Sequence, residues 1–136
     1  MSSELRPVRR ALGLGLGPQA GAGYPRGVYR GATVITAVTR MGLAAAQSAT
    51  EELFANFGSD IDHVFVVGIA GANDPGLKIG EVVIPACVVD ERDGISRYPV
   101  NLSNSVASGV LFSSDQLAYS KEFVAMLRHR KVSLVD

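Results

Sequence analysis

The stretch Val64–Pro85 (VFVVGIAGANDPGLKIGEVVIP) constrains the fold of this chain more than any other. Its first run is apolar without alternation. Such a run suits a strand buried on both faces, as in a parallel sheet covered by helices. It ends in Gly68-Ile-Ala-Gly-Ala72, passes the polar turn Asn73-Asp-Pro-Gly76, and resumes as a second apolar run after Gly80. Parallel sheets place ligands just beyond the carboxyl ends of their strands. Glycines at such an end admit a ligand close to the backbone. The spacing fits equally a tight strand exit with no ligand, because glycine punctuation is common.

The rest of the chain supplies alternating strands and helices. Leu5–Leu12 reads as a short helix, and the glycines and prolines between Gly13 and Pro25 mark a loop. Val28–Arg30 and Ala32–Val38 read as strands around a Gly31 turn. Thr39 is the expected N-cap of a helix running from Gly42 to Phe57. Its inward face is Leu43, Ala46, Thr50, Leu53, Phe54 and Phe57, and Gly58 stops it. Strands are expected at Val64, Glu81–Val89, Gly109–Ser114 and Val132–Val135, with Asp90–Ser108 irregular. A last helix spans Tyr119–Arg130, capped by Ser120, with Phe123, Val124 and Leu127 inward. This order predicts an α/β fold, with a mostly parallel or mixed sheet flanked by helices, in one domain over residues 1–136.

Charge excludes some functions. Lys+Arg and Asp+Glu both total 13, so no dominant nucleic-acid or anionic-membrane footprint is expected. No apolar segment is long enough to cross a bilayer, and no secretory-type apolar core follows the N-terminus. The single Cys87 excludes an intramolecular disulfide and a multi-cysteine metal site. These features fit a soluble cytoplasmic protein.

Several short motifs carry chemistry. Gly15-Leu-Gly-Pro-Gln-Ala20 matches a dinucleotide pattern in spelling, but no strand precedes it and Gly21–Pro25 cannot form the required helix. Thr39-Arg-Met-Gly42 lies where a strand hands over to a helix, and could hold an anion or sugar hydroxyl, or be an ordinary cap with a solvated arginine. His63 and His129 are far apart and read as solvated, so no metal site is expected. Ser113-Ser-Asp115 ends a strand, where Asp115 could also cap the next turn. If the strands are parallel, Thr39–Gly42, Gly68–Ala72 and Ser113–Asp115 converge on one rim.

These segments, in this order, resemble the purine nucleoside phosphorylase / uridine phosphorylase superfamily. The likeness is greatest to 5′-methylthioadenosine/S-adenosylhomocysteine nucleosidases. The Gly-Ile-Ala-Gly-Ala … Leu-Lys-Ile-Gly-Glu-Val-Val-Ile pairing is its most specific element. The resemblance implies cleavage of a purine nucleoside's N-glycosidic bond, in nucleoside and purine salvage, by a homo-oligomer without cofactor. It implies that Glu4 positions the attacking water. It places Thr39, Arg40 and Gly42 near the water or phosphate, and Gly68, Ile69, Ala70 and Gly71 beneath ribose and base. Leu117 falls where nucleosidases often stack an aromatic residue on the base, so the base preference is left open.

Departures from the family pattern bear on the reaction. Where bacterial hexameric phosphorylases place an Arg and a Ser for phosphate, this chain has Val66 and Ile69. Water is therefore the expected nucleophile, with phosphorolysis through Arg40 as the alternative and phosphate then a co-substrate. The family's ribose-binding Glu and purine-protonating Asp would follow Asp136, so the fold is expected to be incomplete at both ends. A third reading is an inactive remnant that binds nucleoside or a partner chain. Exposed apolar strand edges are expected to make the isolated chain poorly stable or self-associating.

Overall fold

A computed structural model of the chain describes residues 2–14, 24–100, 106–116 and 120–136. It divides into two compact units, residues 1–68 and 69–136.

The first unit opens with α1 (Ser2–Ala11). Gly13, at φ 65°, ends it. Leu14 N–H then donates to Arg9 O at 2.8 Å and Gly13 N–H to Arg10 O at 3.1 Å, the paired bonds of a glycine-terminated helix. The chain after α1 packs on the first strand: a side-chain carbon at Gly27 would come within 2.6 Å of Leu14 Cδ2. Strands β1 (Arg26–Tyr29) and β2 (Ala32–Ile35) form an antiparallel hairpin. Arg30 and Gly31 both take positive φ, which gives the two-residue turn that matches strand twist. Thr36 is buried, and both its N–H and its hydroxyl donate to Pro25 O.

Helix α2 (Leu43–Phe57) follows. Its N-cap is Gly42 rather than Thr39, and no side chain caps it. Gly42 sits at φ 94°, a conformation that glycine adopts without steric cost, so the helix starts three residues later than a Thr39 cap would allow. Gly58 follows the helix in a right-handed conformation, leading into a short 3-10 turn, so the chain is redirected without a left-handed stop. Leu43, Ala46, Leu53 and Phe57 are half-buried, whereas Thr50 and Phe54 are exposed. The inward face is thus narrower than the periodicity predicts. The Tyr24 ring stands edge-on to Phe57 at 5.8 Å. Burial pushes the Tyr24 phenol up, with a hydrogen bond to Glu52 and its charge adding to the effect.

The second unit is built on a five-stranded mixed sheet. Its strands are β3 (Gly71–Ala72), β4 (Cys87–Asp90), β5 (Ser96–Arg97), β6 (Val110–Ser113) and β7 (Leu134–Val135), in the order β3-β7-β6-β4-β5. The three inner strands are parallel, with Val88 opposite Leu111 and Leu111 opposite Leu134. The edges β3 and β5 are antiparallel. Strand β5 lies inside the stretch expected to be irregular, because its two residues carry no apolar alternation to read.

Helix α3 (Lys121–His129) starts where sequence chemistry requires. The Ser120 hydroxyl accepts from Phe123 N–H at 3.0 Å. Glu122 near the start, and Arg128 and His129 near the end, complement the helix dipole. Leu127 is fully buried against Phe112 and Val132, with Val89, Val110, Phe123, Met126 and Val135 around them. Phe112 and Phe123 meet edge to face.

Two expected strands form only in part. Val64–Val67 belongs to no ladder, and Val66 is 90% exposed. Of Glu81–Val89, only the end from Cys87 pairs. Before Cys87 the second segment is held by two isolated bonds, Ser108 N–H to Ile84 O at 2.9 Å and Ala86 N–H to Gly109 O at 3.1 Å, which make no continuous ladder, and Val64–Val67 has no ladder partner among the described residues.

Two outcomes follow. Leu127→Ala is expected to lower unfolding stability by about 2–5 kcal/mol in urea titration, because it empties the centre of the core. At micromolar concentration the chain is expected to self-associate, and Val66→Lys to shift it toward monomer in sedimentation velocity.

Candidate functional site

The glycine exit has a counterpart in each unit. In the first, Glu4 lies in the opening turn of α1. Its Oε1 sits 3.9 Å from where a side-chain carbon at Gly68 would stand. A residue from the N-terminal helix is thereby brought to the end of the Val64–Gly68 run, 64 residues on.

Thr39, Arg40 and Gly42 form one exposed loop leading into α2. Thr39 Oγ1 donates to Arg40 O at 3.4 Å, a long bond. Arg40 is held at φ 64°, uncommon for a residue with a side chain. Such conformations cost of order 1–3 kcal/mol and cluster at functional sites.

In the second unit, Ile69 is largely exposed and Ala70 half-buried. Gly71 pairs with Val135, and Ala72 with Leu134. A Cβ at Gly71 would stand 3.6 Å from Val135 O, so the two backbones approach closely. Val135 is in turn opposite Phe112. Gly71 therefore lies at the carboxyl-end rim of the parallel strands, as does Ser113–Asp115. Gly71 and Ser113–Asp115 do share one end of the sheet, but Gly71 opens the antiparallel β3 instead of closing a parallel strand, and Gly68 belongs to the first unit. Thr39–Gly42 belongs to the first unit. Leu117 lies outside the described residues.

The rim is stitched by hydrogen bonds. Ser114 N–H donates to Asp136 O at 3.0 Å, and Glu91 N–H to Ser113 O at 3.0 Å. The Ser114 hydroxyl donates to Glu91 Oε2 at 2.6 Å and accepts from Gln116 N–H. The turn after β6 is thus closed by Ser114, whose hydroxyl reaches the amide two residues on.

Charge at this end is paired. Arg92 binds Asp90 through its guanidinium at 2.7 Å and its backbone N–H at 2.9 Å. These bonds hold the Asp90 carboxyl down at about 2, below its ordinary 3.8, against a smaller opposing effect of burial. Asp93 is lowered likewise, by Arg97 and the Ile95 N–H. Asp90 is therefore ionised at neutral pH and unsuited to donate a proton to a leaving base.

The Leu77-Lys-Ile-Gly-Glu81 turn has a structural explanation. Gly80 sits at φ 82°, and the Glu81 carboxylate accepts Lys78 N–H at 2.9 Å while Glu81 N–H returns to Lys78 O. An acidic residue after this glycine closes the turn. Among the described residues, no three His, Cys, Asp or Glu side chains gather as metal ligands, and no helix is long and apolar enough to cross a membrane.

Gly71 stands at the carboxyl-end rim of the parallel strands, where α/β sheets place ligands. The chain belongs to the phosphorylase superfamily, whose family model matches residues 5–135. No curated relative matches it. Among solved structures it is similar to the Helicobacter pylori 5′-methylthioadenosine/S-adenosylhomocysteine nucleosidase in complex with a pyrrolidine inhibitor, at TM-score 0.84 and 22% identity, covering 100% of this chain and 71% of that one. A mutant of that nucleosidase with 5′-methylthioadenosine in its active site gives TM-score 0.80 at 23% identity, covering 100% and 71%. A futalosine hydrolase mutant from the same organism gives 0.81 at 22%, covering 100% and 74%.

The sequence reasoning passed over Asn73 and Ser133, which tie the glycine exit to β7. Asn73 reads as a turn residue, and its partner is 59 positions away.

The Asp90 and Asp93 pairs set an acid limit. Both pKa values are depressed on folding, so the stabilising contribution is complete above the unfolded value near 3.8 and is lost as pH falls below it, for Asp90 toward about 2. Thermal melts between pH 7 and pH 2 are expected to show this loss, with a shallower slope in Asp90→Asn.

Proposed function

We propose that this chain carries the water and ribose side of a purine nucleosidase. The observation that carries this reading is the Glu4 carboxylate beside Gly68. A carboxylate there can accept a hydrogen bond from water and draw its proton as the oxygen attacks the anomeric carbon. The Gly68–Gly71 backbone, with Thr39 and Gly42, is proposed to line the ribose and water site, and Leu117 the base. The substrate class is an adenine nucleoside such as 5′-methylthioadenosine, which one neighbour holds in its active site. The reading needs no cofactor, and the protein would act in nucleoside salvage in the cytoplasm as a homo-oligomer.

The departing purine needs a proton, because charge builds on it as the bond breaks. Among the described residues the reading assigns that acid to none.

A second reading, a binding chain without turnover, is favoured by the uncovered Val64–Val67 run. Phosphorolysis is the third, with the exposed Arg40 receiving phosphate. Val66 and Ile69 are apolar, which speaks for water instead.

The test is calorimetric titration of the chain with 5′-methylthioadenosine, with adenine release followed with and without phosphate. Release independent of phosphate supports hydrolysis, and Glu4→Gln is then expected to slow it by about a hundredfold or more with little change in Kd. Phosphate-dependent release supports the phosphorylase. Binding without release supports the binding chain. No binding overturns all three.

A further inference from the structure

One side chain ties down the exit from the glycine strand. Asn73 follows β3, and its Nδ2 donates to Val132 O at 2.8 Å. The backbone N–H groups of Asn73 and Asp74 both donate to Ser133 O, at 2.9 and 3.2 Å. Strand β3 itself pairs through only two residues, Gly71 and Ala72. So short a strand, half of it glycine, specifies its register weakly. A slip of one residue would exchange the faces of Gly71 and Ala72. Backbone donors alone do not choose between registers, because every non-proline residue offers the same pair of groups. The carboxamide does choose, since only residue 73 carries it.

The partner is itself fixed. Val132 is buried in the core beside Leu127, and its N–H donates to Leu127 O at 2.9 Å. Asn73 is not required to close the turn that follows. Asp74 does that, its carboxylate accepting Gly76 N–H at 2.8 Å and its carbonyl accepting Leu77 N–H.

We propose that Asn73 is a positioning residue, which sets the register of Gly71 against Val135 and so the backbone surface offered to a nucleoside. Asn73 acts through β3 and does not itself contact the ligand. The proposal rests on the nucleoside-binding reading above.

The test uses the full 136-residue chain and Asn73→Ala, with two readouts. Amide exchange at Asn73 and Asp74 reports the register. Amides of Ser133 and Asp136, which donate to Val110 O and Phe112 O, serve as controls for the β6–β7 ladder. Titration with 5′-methylthioadenosine reports the site, well below the melting temperature. The expected result is an exchange acceleration and a Kd increase, each of about fivefold to tenfold, with unchanged controls. Unchanged exchange overturns the register role. Faster exchange with unchanged Kd overturns the positioning role, since a merely structural bond would lower the melting temperature and leave affinity alone. If wild-type chain does not bind the nucleoside, the functional reading fails and the positioning role falls with it, while exchange still decides whether the register lock exists. Should the Ala variant not fold, Asn73→Asp keeps the volume, removes the donor and carries the same comparison.

Discussion

The seating of Leu127 against Phe112 and Val132 is the contact on which the second unit depends. It presses α3 onto β6 and onto the start of the chain leading to β7. Once those strands are held, the parallel register of β4, β6 and β7 follows, and their carboxyl ends form one rim. Gly71 reaches that rim only because β3 is tied to β7. The candidate site in this unit is thus two steps from a leucine with no chemistry of its own.

Among the described residues, the first unit has no equivalent centre. Helix α2 buries no residue completely, and its half-covered Phe57 meets the Tyr24 ring. The most apolar run in the chain, Val64–Val67, is its most exposed strand-like sequence. The chain spans 71% of a similar nucleosidase chain. A run suited to burial on both faces, standing uncovered, is a demand for neighbours that the described residues do not meet. Exposed apolar edges of this kind drive association, because pairing satisfies the backbone and removes the side chains from water in one step.

Charge plays a separate part. The Asp90–Arg92 and Asp93–Arg97 pairs stabilise the β4–β5 corner while keeping both carboxylates ionised. These two carboxylates therefore accept hydrogen bonds at neutral pH and do not supply protons. In the reaction proposed here, water activation falls to Glu4.

Local chemistry was legible in the sequence. Ser120 had to cap a helix because its hydroxyl reaches Phe123 N–H. Gly13 had to end one and Gly31 to turn a hairpin, because few residues adopt positive φ cheaply. The glycine exit and its Leu-Lys-Ile-Gly-Glu turn were legible for the same reason, since a few neighbouring residues decide them. What only tertiary structure decided was pairing. It placed Glu4 beside Gly68, set Gly71 against Val135, moved the cap of α2 from Thr39 to Gly42, and left Val64–Val67 without a ladder. Strand partners lie tens of residues apart, and backbone groups are alike at every position, so no local pattern names the partner. Asn73 shows the limit most clearly: its carboxamide is plain in the sequence, and only the fold brings Val132 O to meet it.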